Sequence, residues 1–225
     1  MWCVPEIDRE FIDRMEDLLR LYAKPDDGKE PVVCLDERPV QLLDSARDGR
    51  PARPRTIARR DYEYVRRGTA NIFCIVEPRA GRHQTYATAN RTGRAFAQAM
   101  RRVARRHKGA RTIHIVFDNL STHSEKSLRR RFGDLAGKRL WKRFTVHYTP
   151  KHASWLNPAE MEASLVSREC LGTRRIGDLK TLRREVTAWN RRADRGRRAI
   201  DWKWRVSDAR RVFRYDGIAT RRAEH

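Results

Sequence analysis

A chain of 225 residues with 51 Lys and Arg against 29 Asp and Glu carries a formal charge of +22, an electrostatic footprint for a polyanion, with nucleic acid as the first expectation. Its longest apolar runs are strand-length, so no membrane-spanning helix is expected. Met1-Trp-Cys-Val-Pro-Glu6 lacks the basic region, apolar stretch and small-residue cleavage site of a signal peptide, which leads to the expectation of a cytoplasmic protein.

The four cysteines, Cys3, Cys34, Cys74 and Cys170, are far apart and form no C-x-x-C pair or Cys/His cluster, so neither a zinc site nor a disulfide framework is expected. Hydrophobic residues make up 39% of the chain and fall in periodic segments, which indicates a folded domain with an appendage rather than a disordered chain.

Taken in chain order, Ile7, Phe11, Met15, Leu18, Leu19 and Tyr22 lie on one helical stripe, predicting an amphipathic helix that Pro25-Asp-Asp-Gly28 breaks. Val32 to Leu35 reads as a buried strand closed by Asp36, and Val40 to Leu43, Ala70 to Val76 and Gln84 to Thr88 read as further strands. Ser45 to Arg60, with its prolines and arginines, reads as an irregular basic loop. Thr92 is placed to cap a helix reaching His107, and Ile113 to Phe117 is a continuous apolar strand closed by Asp118. A short basic helix over Ser124 to Phe132, a strand over Phe144 to Tyr148 and a helix over Asn157 to Leu171, with Pro158 in its first turn, follow.

Right-handed crossovers between helix-linked strands then give an α/β domain with one mixed sheet, an order that matches an RNase H-like sheet. Beyond it, Leu179, Leu182, Val186 and Trp189 predict one more amphipathic helix starting at Asp178, followed by a basic tail. Arg191 to Arg198 reads equally as a solvated linker or as a phosphate-contacting strip. The expected division is 1–28, an N-terminal helix and linker; 29–172, the sheet domain; and 173–225, a basic helical extension.

Asp36 and Asp118 at strand ends and Glu160 at a helix start are the candidate reactive groups. Three carboxylates from separate elements can cage divalent cations, which prefer oxygen ligands, for in-line displacement at a phosphate. Each has an ordinary alternative. A strand-end Asp is more often a turn residue, and Asn157-Pro-Ala-Glu160 fits a capping box. Glu37 is expected on the face opposite Asp36, and Glu162 well round the helix from Glu160.

Three runs, Val33-Cys-Leu-Asp-Glu37, Val116-Phe-Asp-Asn-Leu-Ser-Thr-His123 and His147-Tyr-Thr-Pro-Lys-His-Ala-Ser-Trp-Leu-Asn-Pro-Ala-Glu160, resemble those of bacterial insertion-sequence transposases of the mariner-related DDE superfamily. The likeness extends to Asp61-Tyr-Glu-Tyr64, Gly68-Thr-Ala-Asn71 and Ile200-Asp-Trp202. It implies an RNase H-like fold with Asp36, Asp118 and Glu160 as catalytic metal ligands, the last two 160 − 118 = 42 positions apart, and Glu37 and Glu162 outside the ligand set.

The resemblance further implies Mg²⁺, two ions with Mn²⁺ able to substitute, and double-stranded DNA as substrate. Cutting at element ends would be followed by joining of the 3′ hydroxyl to target DNA, typically at TA, by a homodimer in a bacterial, nucleoid-associated setting. Asn119 and His123 match the second motif as supports for a metal-bound water or a phosphate, with a local hydrogen bond at the helix start as the alternative for His123. Lys151 and His152 are candidate phosphate contacts. Asn157 and Trp155 belong to the third motif, Trp155 read as core rather than as a stacking platform.

The family's N-terminal helix-turn-helix has no counterpart in the single helix ahead of Asp36, so the recognition module is expected to be missing. Two other readings stand beside the transposase: a catalytically silent remnant that coats DNA through its arginines, and a structure-specific nuclease on the same fold.

Overall fold

In a computed structural model, which describes residues 7–47, 49–59 and 61–215, the described strands form one mixed sheet in the order β3-β2-β1-β5-β6, with β4 also paired to β2. Cys3 lies outside the described residues; Cys34, Cys74 and Cys170 are buried free thiols.

The first helix, α1 (Arg9–Ala23), is capped by Asp8, whose carboxylate accepts from Phe11 N, and buries the stripe Phe11, Met15, Leu18, Leu19 and Tyr22. Strands β1 (Val32–Ser45) and β2 (Tyr64–Glu77) form a long antiparallel hairpin. The run Val40 to Leu43 therefore continues β1 rather than making a separate strand: Pro39 and the exposed Arg38 interrupt the apolar pattern without breaking the ladder, which carries on through Pro39 opposite Asn71.

The arginine-rich connection is not wholly irregular, because bridges Arg50 to Arg59 and Arg53 to Thr56 prolong the hairpin. Arg175 holds its base by donating to the carbonyls of Asp61, Tyr62 and Glu63.

Short β3 (Arg82–His83) and β4 (Tyr86–Thr88) pair with β2. Helix α2 (Gly93–Arg106), capped by Thr92, leads to β5 (Ile113–Phe117), every residue of which is buried. Then come α3 (Glu125–Phe132), α4 (Asp134–Trp141) and β6 (Phe144–Tyr148). Helix α4 carries no readable apolar stripe: Leu135 is 87% exposed, and the turn at Gly133, with φ of 87°, folds α4 back on α3.

The helix expected over Asn157 to Leu171 is two pieces, α5 (Ala159–Leu165) and a π-helical stretch at Val166–Leu171, preceded by a 3₁₀ turn at Ser154–Leu156. At the last junction the Ser167 hydroxyl donates to the Ala163 carbonyl, the back-bonding that opens a helical turn.

Helix α6 (Leu179–Gly196) is capped by Asp178 and runs on through Arg191–Gly196, so most of the strip read as linker or phosphate contact is helix. Helix α7 (Val206–Phe213), unmarked in the basic tail, follows. No helix among the described residues is long and apolar enough to cross a membrane.

Two layers of helix cover the sheet. Phe96, Met100 and Val103 of α2 and Leu128 of α3 pack with Val33, Leu35, Phe73 and Ile115 on one face. On the other, α1 packs with Cys34, Val76, Val116, Leu156 and Tyr215, joined by Trp202, Trp204 and Phe213, while Leu182, Val186 and Trp189 of α6 pack on Leu42, Ile72 and Cys74.

The first and last helices are tied by the buried Glu16 carboxylate, which takes Tyr215 Oη at 2.9 Å and Arg210 Nη2 at 3.0 Å, and also Arg20. Three donors meet the desolvation cost of that charge.

Gly137 admits no side chain. A Cβ on Gly137 would stand 2.6 Å from the Arg129 backbone nitrogen, because α4 crosses α3 there at backbone contact. Gly to Ala inside a helix usually stabilises by about 0.5–1 kcal/mol. Gly137→Ala is instead expected to destabilise the protein by about 1–3 kcal/mol through overpacking, read from the midpoint of urea unfolding; a midpoint that rises would show that the two helices can slide apart.

Candidate active site

Parallel pairing between β1 and β5 covers only Val32 to Cys34, ending with Cys34 opposite Val116. Beyond that point β1 continues along β2 while β5 stops, and the notch at the carboxyl ends of the parallel strands is where α/β sheets bind their ligands. Asp36 and Asp118 each lie two residues past the last pair, level with one another at this notch.

Asn157 closes it. Its Nδ2 donates to the Leu35 carbonyl at 2.9 Å, taking the place of a further strand bond, while its Oδ1 accepts from Ala159 N at 3.1 Å. One buried side chain thus pins the start of α5 to the residue before Asp36, setting Glu160 over the same notch. Asn157 caps α5 as its type suggests, but the capping box does not form: Glu160 donates its backbone N–H to the Asn157 carbonyl and its carboxylate does not reach back.

The acids are in electrostatic contact. Burial pushes the Asp36 carboxyl up to about 6, and the charges of Glu160 and Asp118 push the same way, against the Glu37 N–H that Asp36 accepts at 2.7 Å. Such mutual repulsion is what a bound divalent cation relieves, and an all-carboxylate donor set fits a hard ion such as Mg²⁺ or Mn²⁺. Among the described residues no three His, Cys, Asp or Glu side chains are closed to the spacing of a bound ion; the acids converge at the notch without being drawn together.

Behind Asp118 stands a buried relay. His123 is 2% exposed, stacks on Phe96 with ring centroids 4.5 Å apart, and places Nδ1 2.7 Å from Asp118 Oδ1 and 3.1 Å from the Asp118 carbonyl. Its other nitrogen, Nε2, lies 3.1 Å from Glu37 Oε1. Burial alone would lower the imidazole pKa, but Asp118 and Glu37 outweigh it and raise it to about 9. His123 is therefore an imidazolium that donates through Nε2 to the Glu37 carboxylate and through Nδ1 to the Asp118 carbonyl, with the Asp118 carboxylate in ion-pair contact beside it.

Glu37 lies on the α2 face of the sheet, its side chain 3% exposed, as the alternation along β1 requires. Its part in buttressing Asp118 was not readable, since only the fold brings residue 123 back to residue 37.

Glu162 points away from Glu160 and is buried, with Oε2 2.8 Å from His83 Nδ1 and Oε1 accepting from Thr85 Oγ1 at 2.7 Å. It anchors α5 to β3 and to the link between β3 and β4. Asn119 is exposed at the mouth of the loop after β5. Lys151 and His152 are exposed and line a depression with Asp8, Glu10, Phe11 and Arg14 at the start of α1. Trp155 is not core: it is 39% exposed, with its ring 5.2 Å from that of Trp204.

Residues 31–183 match the family described as DDE superfamily endonuclease. Among solved structures, the chain is similar to the Mos1 mariner paired-end complex with Mn, at 13% identity and a TM-score of 0.55 over 88% of this chain and 62% of that one. It is similar also to the Mos1 strand transfer complex, at 14% identity and a TM-score of 0.54 over 88% and 60%, and to a pre-cleavage Mos1 transpososome, at 13% identity and a TM-score of 0.54 over 91% and 66%. At these identities the likeness is one of fold, and the chain spans less than two thirds of each of those chains. Among curated proteins none matches.

The bridge has a thermodynamic signature. A histidine whose folded pKa is raised contributes stability that is complete below its unfolded value near 6.5 and is lost as pH rises through about 9. The unfolding free energy is expected to fall over that window by about 3 kcal/mol at most, and His123→Gln to flatten the fall; denaturant unfolding at several pH values measures both, and an equal fall in the variant would rule the bridge out.

Proposed function

Because the chain belongs to the DDE superfamily endonucleases, we propose that it is the catalytic part of a transposase, cutting DNA strands at element ends and joining the freed 3′ hydroxyl to target DNA. The observation that supports this reading is that Asp36 and Asp118 stand level at the notch where β1 and β5 part, with the charge of Glu160 felt at Asp36, on a chain of net charge +22.

In this reading the three carboxylates hold a pair of divalent cations, Mg²⁺ or Mn²⁺. When bound, such ions activate the attacking oxygen and stabilise the leaving one. The protein's own contribution is placement. Asn157 fixes α5, and with it Glu160, against β1. Glu162 fixes the far side of that helix. His123, held by Glu37, keeps Asp118 from turning away and carries one positive charge behind a cluster of negative ones.

The Mos1 structures are named for paired ends and strand transfer, and by that analogy double-stranded DNA is the proposed partner, with two copies of the chain acting together. A cytoplasmic, nucleoid-associated setting accords with the basic charge. The proposed division of labour assigns residues 29–172 to chemistry and the flanking segments to support and DNA contact.

Calorimetric titration of Mn²⁺ into the protein and into Asp118→Asn tests the site without needing the element ends. Wild-type binding and its loss in the variant are expected, together with a fall of about 10³-fold or more in nicking of supercoiled plasmid DNA, since several kcal/mol of transition-state stabilisation go with the ions. DNA binding with no metal-dependent cutting would make the chain a silent DNA binder. Cutting of branched duplexes with no strand joining would make it a structure-specific nuclease.

A further inference from the structure

Basic side chains on neighbouring surfaces of this chain differ in whether the protein itself engages them. On the outer face of α2, Arg101 donates to Gln98 at 2.7 Å and Arg102 lies 4.2 Å from the Tyr86 ring centroid, while Arg106 pairs with Asp194 at 3.0 Å. Those cations are engaged within the protein.

The cleft between the starts of α2 and α3 differs. Arg94, Lys126, Arg130 and Arg131 line it together with Ser121 and Thr122, and among the described residues none of the four cations has a carboxylate partner within ion-pair distance. Arg131 is partly engaged, its guanidinium 5.4 Å from the Phe132 ring centroid, which leaves Arg94, Lys126 and Arg130 as the open cations.

The fold builds this cleft deliberately. A Cβ on Gly93 would stand 2.6 Å from Ser127 Oγ, so glycine is what lets the first turn of α2 approach α3 this closely. Ser127 in turn donates to the Thr122 carbonyl at 2.7 Å, holding the loop that follows Asp118 as the wall between cleft and notch. Helix α2 has no acidic residue in its first turn, and Ser124 makes no side-chain bond to the first turn of α3. The start of α2 therefore faces the cleft with no acidic residue of its own, whereas α3 carries Glu125 in its first turn. The space is about 610 Å³ and open to solvent, larger than a single phosphate group.

We propose that the α2–α3 cleft binds the sugar-phosphate backbone of the DNA, gripping phosphates on one side of the scissile bond through Arg94, Lys126 and Arg130 with Ser121 and Thr122. This rests on the reading of the chain as a DNA-cutting enzyme, and it names which part of the +22 surface carries the substrate. The contacts are with phosphate, so the cleft positions DNA and does not read sequence.

The test is the triple variant Arg94→Ala, Lys126→Ala, Arg130→Ala beside a control that removes the same charge from exposed positions on and just after α4, Lys138→Ala, Arg139→Ala, Lys142→Ala. Both are titrated against a labelled DNA duplex without divalent metal over a salt series, with Lys126→Glu as a single-site companion. The cleft triple is expected to bind about 10- to 100-fold more weakly at low salt and to lose about two to three from the log–log salt slope, near one per phosphate contact removed, while the control loses much less. Equal losses in the two triples, or no loss with Lys126→Glu, would overturn the proposal.

Mn²⁺ calorimetry on the cleft triple separates the two readings. Metal binding retained with DNA affinity lost supports the cleft as a substrate track. Metal binding and cutting present while DNA affinity ignores the cleft would sink this inference and leave the catalytic one standing. A chain that binds no metal but still loses DNA through the cleft would leave the cleft standing as a nucleic-acid site and sink the catalytic reading.

Discussion

The short parallel pairing of β1 with β5 is the constraint on which the rest depends. Three residues of each strand are in register, and then the strands part: β1 has a longer partner in β2 and β5 ends at Phe117. Had β5 continued, its ladder would have taken up the Leu35 carbonyl and filled the notch. The carbonyl is instead given to Asn157, and one hydrogen bond converts a strand end into the seat of a helix. The coming together of three acids from positions 36, 118 and 160 follows from that substitution of a side chain for a strand.

Assembling like charges costs free energy, and the structure meets the cost locally. Asp36 takes the Glu37 N–H, and Asp118 is backed by an imidazolium whose own charge is held by a second buried carboxylate. The relay from Glu37 to His123 to Asp118 crosses from the α2 face of the sheet to the notch, so the packing of Phe96 against His123 is coupled to the placement of an acid it does not touch. Disturbing the α2 core should therefore be felt at the notch as well as in overall stability.

Much of this was legible. The apolar run that ends at Asp118, a helix opening with Asn-Pro and the stripe in α1 each follow a local rule, and the structure keeps them; Asp36, expected to end its strand, lies inside β1 opposite Cys74 because β2 carries the ladder on. What was not legible required partners distant in sequence. Helix α4 is set by a glycine turn and a backbone contact rather than by an apolar stripe. Helix α7 owes its place to Glu16 and to the Trp202 and Trp204 layer, which no pattern in its own arginine-rich sequence announces. The break of α5 into a π-helical stretch depends on one serine bonding backwards. Glu37 was correctly set apart from Asp36 by strand alternation, yet its use as a buttress needed the return of the loop after β5.

The clasp between α1 and α7 bears on synthesis as well as on structure. Glu16 meets Arg210 across 194 residues, so the contact that seals the first helix cannot form until nearly the whole chain has left the ribosome. Helix α1 can settle on the sheet once β1, β2 and β5 exist, but part of its apolar flank stays uncovered until Trp204 and Phe213 arrive. The nascent protein thus passes through a long interval with a sticky, highly basic intermediate, and in a cell crowded with nucleic acid the N-terminal helix is the surface most in need of a chaperone.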